Sequence, residues 1–76
     1  MKSSEEAMQI KTGLCHLIKA FNATDPNANI RAEYDNATET VTAVAYSTKK
    51  RTINVAVDSP LAAMKDIADG FYHLLY

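Results

Sequence analysis

The chain has 76 residues, 47% of them apolar and 22% charged, with nine acidic side chains against eight basic ones and a formal net charge of -1. A chain this short supports one small core, so a single domain over residues 1–76 is expected, and near-neutral charge removes any strong long-range attraction for phosphate or cationic ligands. No apolar run is long enough to span a bilayer, the N-terminus MKSSEEAM lacks the apolar core of a signal peptide, and the lone Cys15 excludes an internal disulfide and a cysteine-rich zinc site. A cytoplasmic protein is the expectation.

In chain order, Ser3-Ser4-Glu5-Glu6 forms a capping box that starts a helix. Ala7, Ile10, Leu14, Leu17, Ile18 and Phe21 follow at spacings of three and four, the stripe a surface helix buries. Met8, Thr12, Cys15 and Lys19 lie on its flank, and Met8 and Cys15 are expected to pack into the core. Pro26 within Asn22–Asn27 ends the helix, because it has no N–H to donate. The sequons Asn22-Ala23-Thr24 and Asn36-Ala37-Thr38 read as turn chemistry.

Ile30–Tyr34 alternates apolar and polar residues, as a strand with one face on a core does. Residues 35–39 make a turn. Thr40–Tyr46 is rich in β-branched residues and alanine, and Ile53–Val57 alternates again, so two further strands are expected, joined by the hairpin tip STKKR at 47–51. No Gly or Asn in that tip sets its turn type, which leaves two registers. A two- or four-residue loop puts Thr42, Val44 and Tyr46 on the core face, and a three-residue loop puts Val41, Ala43 and Ala45 there.

Ser59 as N-cap and Pro60 at the first position open a second helix. Its stripe is Leu61, Met64, Ile67, Ala68, Phe71, Leu74 and Leu75. Gly70 interrupts this helix and marks close packing on a neighbouring backbone, with Gly13 of the first helix the candidate. The sum is a two-layer α+β fold of order α-β-β-β-α, a three-stranded antiparallel meander with both helices parallel on one face.

Chemistry is sparse. Asp66, Asp69 and His73 share a helix face but offer too few ligands for a metal site, and adjacent Cys15 and His16 point about 100° apart on a helix and do not meet as nucleophile and base. No glycine-rich loop cradles a phosphate. No catalytic residue, cofactor, metal or small-molecule substrate is expected, and the chain reads as a non-enzyme.

Three further places in the chain can be read for charge. The first helix opens with Glu5 and Glu6, the loop between the first two strands is Asp35-Asn36-Ala37-Thr38-Glu39, and the last helix begins Ser59–Met64 with its first lysine at Lys65. In element order and length the chain resembles the double-stranded RNA-binding domain over nearly its whole length. That resemblance implies RNA contact through those three places, which here are acidic or uncharged and repel phosphate. The basic run Lys49-Lys50-Arg51 falls instead near the helix C-termini, where cations are favoured by about 0.3 to 1 kcal/mol.

The expected function is therefore protein binding or regulation through the open sheet face or an edge strand, with Arg31, Glu33, Thr42, Val44, Tyr46 and Asn54 as the candidate surface. The partner is another protein or a second copy of the chain, and the size suits an inhibitor or accessory protein of a phage or mobile element. The alternative is nucleic-acid binding through Lys19, Lys49, Lys50 and Arg51.

Overall fold

The capping box forms as written: Glu6 N–H donates to Ser3 Oγ at 3.1 Å and Ser3 N–H donates to Glu6 Oε1 at 3.3 Å. It starts α1, Ser4–Thr24, in a computed structural model that describes all 76 residues. One 3₁₀ turn at Pro26–Ala28 leads into β1, Arg31–Asp35; β2, Thr40–Ala45, β3, Lys49–Asn54, and α2, Pro60–Leu75, follow. The sheet is antiparallel in the order β1-β2-β3, and both helices cover one face of it, as the α-β-β-β-α reading required.

The hairpin takes the three-residue register. Ala45 pairs Lys49, so Tyr46, Ser47 and Thr48 make the turn, and Val41, Ala43 and Ala45 face the core with Tyr34 and Ile53. Two corrections follow. Lys49, Lys50 and Arg51 lie in β3 and not at the hairpin tip, and the third strand ends at Asn54 and does not run to Val57, which is 97% exposed. The physical cause is that Tyr46 and Ser47 adopt left-handed backbone, φ 55° and 63°, without the glycine that usually signals it.

The core joins Ala7, Ile10 and Leu14 of α1, Ala63, Ile67, Phe71, Leu74 and Leu75 of α2, and the inner face of the sheet, with no buried charged residue among them. Phe21 meets Phe71 edge to face at 5.4 Å between ring centroids, and Gly13 lies against Met64. Contacts 13 to 64 and 21 to 71 advance together, so the helices run parallel.

Four expectations about the helices need correction. Gly70 admits the Ile53 side chain, whose Cδ1 would sit 2.5 Å from an added Cβ, so its close neighbour is β3 and not Gly13. Met8 is 63% exposed and Cys15 is exposed, because both lie on the side of α1 away from α2. Leu61 is 82% exposed, and Ala63 takes the first buried position of α2. No helix is long and apolar enough to cross a membrane.

Candidate protein-binding edge

An antiparallel strand exchanges hydrogen bonds through alternate residues, so one bond fixes the parity of a whole ladder. Val55 N–H donates to Glu39 O at 2.9 Å, which makes Val41–Ile53, Ala43–Arg51 and Ala45–Lys49 the bonded pairs between β2 and β3. Thr40, Thr42 and Val44 therefore turn their backbone groups toward β1, where they meet Asp35, Glu33 and Arg31. The N–H and C=O of Ala32 and Tyr34 point outward, away from the sheet.

Both ends of this outward row are closed by asparagine amides. Ile30 has the same parity as Ala32, and its N–H donates to Asn22 Oδ1 at 2.7 Å while Asn22 Nδ2 donates back to Ile30 O at 3.1 Å. The Asn22 amide thus does for Ile30 what a neighbouring strand would do. Past the other end, Lys2 N–H donates to Asn36 Oδ1 at 3.2 Å and Asn36 Nδ2 donates to Lys2 O at 3.0 Å, while Tyr34 Oη donates to Asn36 Oδ1 at 2.7 Å. Burial, and then the negative charges of Glu39, Asp35 and Glu6, hold the Tyr34 phenol above its ordinary pKa. Of the two sequons only Asn36-Ala37-Thr38 lies in a turn; Asn22-Ala23-Thr24 is the end of α1, and both asparagine amides bind backbone distant in sequence. Between them two residues of sheet edge stay unpaired.

Beside this edge runs a groove lined by Leu14, Cys15 and Ile18 of α1 and by Ala32 and Tyr34 of β1, with Lys11 and Glu33 at its rim. The i, i+4 and i, i+3 spacing of residues 14, 18 and 15 places them on one helix flank, above the outward row. Ala32 is small, so the floor is low. An extended segment added here would bond to Ala32 and Tyr34 and drop alternate side chains into the groove.

On the open side of the sheet the register builds three cross-strand rows: Arg31–Val44–Lys50, Glu33–Thr42–Thr52 and Asp35–Thr40–Asn54. This face is basic at one end and acidic at the other. Of the expected surface residues, Arg31, Glu33, Thr42, Val44 and Asn54 do share it, and Arg31, Glu33, Thr42 and Val44 line one shallow depression with Ala32. Tyr46 does not join them. It sits in the turn, half-buried against the core, and its hydroxyl donates to Asp25 Oδ2 at 2.7 Å. That bond is the first cause of a raised Tyr46 pKa, because it favours the neutral phenol.

The basic residues are separated by strand alternation. Lys50 points to the open face, while Lys49 and Arg51 point to the helix side, Lys49 with its ammonium 5.5 Å from the Tyr46 ring centroid and Arg51 over Gly70. Lys19 is exposed on α1. The acidic residues near the helix N-termini have structural partners: Glu39 lies 3.8 Å from Lys2 Nζ and 3.3 Å from the α-amino group of Met1, and Asp35 accepts from Ala37 N–H at 2.8 Å.

Lys2 is a clamp that the sequence did not announce. Its side chain is 7% exposed and donates to Asp58 O at 2.6 Å and Ala56 O at 3.3 Å, tying the N-terminus to the loop before α2. Asp58 itself carries a carboxyl raised above its usual range, first by hydrogen bonding with Asp66, then by burial and the Asp66 charge, with Lys2 opposing. Its Oδ2 is buried without a hydrogen-bond partner.

A second apolar opening, lined by Phe21, Thr24, Tyr72 and Tyr76, lies at the C-terminal ends of the helices, away from any free strand edge. No group of three or more His, Cys, Asp or Glu side chains is placed to hold a metal ion. No family model, curated protein or solved structure matches the chain.

Proposed function

We propose that the protein is a small non-enzymatic binding module that captures an extended segment of a partner protein along β1. The observation that carries this reading is the coincidence of an unpaired strand edge at Ala32 and Tyr34 with an apolar groove beside it. Strand addition needs both: main-chain bonds supply affinity, and a pocket for alternate side chains supplies selection. The rest of the surface does not combine them. The β3 edge has no apolar groove, and the opening at the helix ends has no free edge.

The experiment is selection of binders from a random-sequence peptide library, followed by competition with two variants. Ala32→Pro removes an outward N–H, and Cys15→Trp fills the groove from an exposed position. Binders lost in both variants support strand addition at β1. Binders indifferent to both would overturn it, and binding of RNA or DNA that Lys49, Lys50 and Arg51 control would favour the nucleic-acid reading.

A further inference from the structure

The charges of β1 are arranged so that the segment it accepts has a definite pattern. We infer that the occupant is an antiparallel strand of the form basic, apolar, basic, apolar, acidic, an inference that rests on the strand-addition reading above. Antiparallel pairing extends the existing meander and is the slightly stronger of the two ladders. Reading such a strand from its N-terminus, its residues stand opposite Asp35, Tyr34, Glu33, Ala32 and Arg31.

Parity then assigns each position. Residues opposite Ala32 and Tyr34 form the hydrogen-bonded pairs and share the helix-side face, so their side chains enter the groove of Leu14, Cys15 and Ile18. Apolar β-branched residues suit a pleated, half-buried surface of that kind. Residues opposite Asp35, Glu33 and Arg31 share the open face, where directly opposed charges of opposite sign attract and like charges repel. Asp35 and Glu33 call for basic residues. Arg31 calls for an acidic one, and the Lys50 charge in the same cross-strand row strengthens that demand.

The same arithmetic disfavours a second copy of the chain. Two β1 strands paired so that Ala32 and Tyr34 of both are satisfied would place Arg31 opposite Asp35 twice, but would also set Glu33 directly against Glu33 on the two-fold axis. Shifting the register by two to relieve this runs Tyr34 against Ile30, whose edge Asn22 already occupies.

The probe is a fluorescein-labelled peptide with the core Lys-Val-Lys-Val-Glu, titrated by anisotropy against the full chain. Its charge-inverted isomer, Glu-Val-Glu-Val-Lys, is the control. Three opposed charge pairs change sign between them, so the first should bind about tenfold or more tighter at low salt. Both Ala32→Pro and Cys15→Trp should abolish that binding, and circular dichroism of each variant shows whether it is folded. Should Ala32→Pro fail to fold, Cys15→Trp decides alone, since its site is exposed. Equal binding of the two peptides, lost in the variants, overturns the charge pattern and leaves strand addition standing. So does a sedimentation dimer whose formation Ala32→Pro prevents. No binding of either peptide, with library binders that ignore both variants or with no binders at all, overturns the inference and the strand-addition reading together.

Discussion

The two edges of this sheet are built on opposite plans. Along β3 the sequence Lys-Lys-Arg-Thr occupies residues 49–52, and the groove between β3 and α2 is lined by Arg51, Asp66, Asp69 and His73. Charge, and lysine above all, is how natural sheets keep an edge strand from pairing with another chain. Along β1 the free backbone groups belong to Ala32 and Tyr34, and the adjoining groove is apolar. β1 carries charge too, at Arg31, Glu33 and Asp35, but of mixed sign and on the open face, while the residues that own its free backbone groups, Ala32 and Tyr34, carry none; on the strand-addition proposal this is the edge that accepts a partner and β3 the edge that is guarded.

Proline tests that contrast most severely, because its effect depends on which way a backbone N–H points. Glu33→Pro removes a bond into β2 and should cost about 2–3 kcal/mol, while Ala32→Pro, one residue away, should stay within about 1 kcal/mol. At about 4–8 °C per kcal/mol for a domain of this size, thermal unfolding separates the two cleanly. Equal losses would mean the parity assigned to β1 is wrong. Asn22→Ala should come next, at about 1–2 kcal/mol for two lost bonds to Ile30, and it should lengthen the free edge at the same time. Peptide binding then rises per folded molecule even as the melting temperature falls.

On the defended side, changing Lys49, Lys50 and Arg51 together to threonine should leave the fold intact and produce scattering that grows with concentration, as an unguarded edge pairs. A variant that stays monomeric would show that the cations serve another purpose. The smallest effect is expected at Asp66, where Asn removes the charge facing Asp58 and supplies it a donor. The Asp58 carboxyl is raised in the folded protein, so the fold gains from its proton at low pH and loses that gain as pH rises through the raised value. Asp66→Asn should therefore raise the melting temperature at neutral pH, by an amount that shrinks as pH falls toward the ordinary carboxylate range.

Much of this architecture is legible in the residues themselves. The capping box at Ser3–Glu6, Ser59-Pro60 at the start of α2 and the apolar stripes place both helices, and alternation places β1. The hairpin register is not legible, because Tyr46 and Ser47 take left-handed backbone that neither residue type advertises. The third strand is misplaced for the same reason: Lys49–Arg51 look like a tip until the turn closes before them. Cross-chain ties are silent as well. Asn22 with Ile30 and Asn36 with Lys2 each pair an amide with the N–H and C=O of one residue, across eight or 34 residues of chain, and nothing local distinguishes them from turn asparagines. The groove depends on how α1 lies over β1, so its components, Leu14, Cys15, Ile18 and Ala32, become a site only in three dimensions. The open face was anticipated for five of its six candidate residues, and Tyr46 left it because the three-residue register ends β2 one residue earlier.

Amide hydrogen exchange by NMR, on the free protein and with a peptide selected against it, tests the central claim most directly. In the free protein the amides of Glu33 and Asp35 should be protected by β2, that of Ile30 by Asn22, and those of Ala32 and Tyr34 should exchange fast. With the peptide bound, Ala32 and Tyr34 should become the newly protected pair. Protection of Ala32 and Tyr34 in the free protein, or new protection confined to β3 or to the helix ends, would contradict the account.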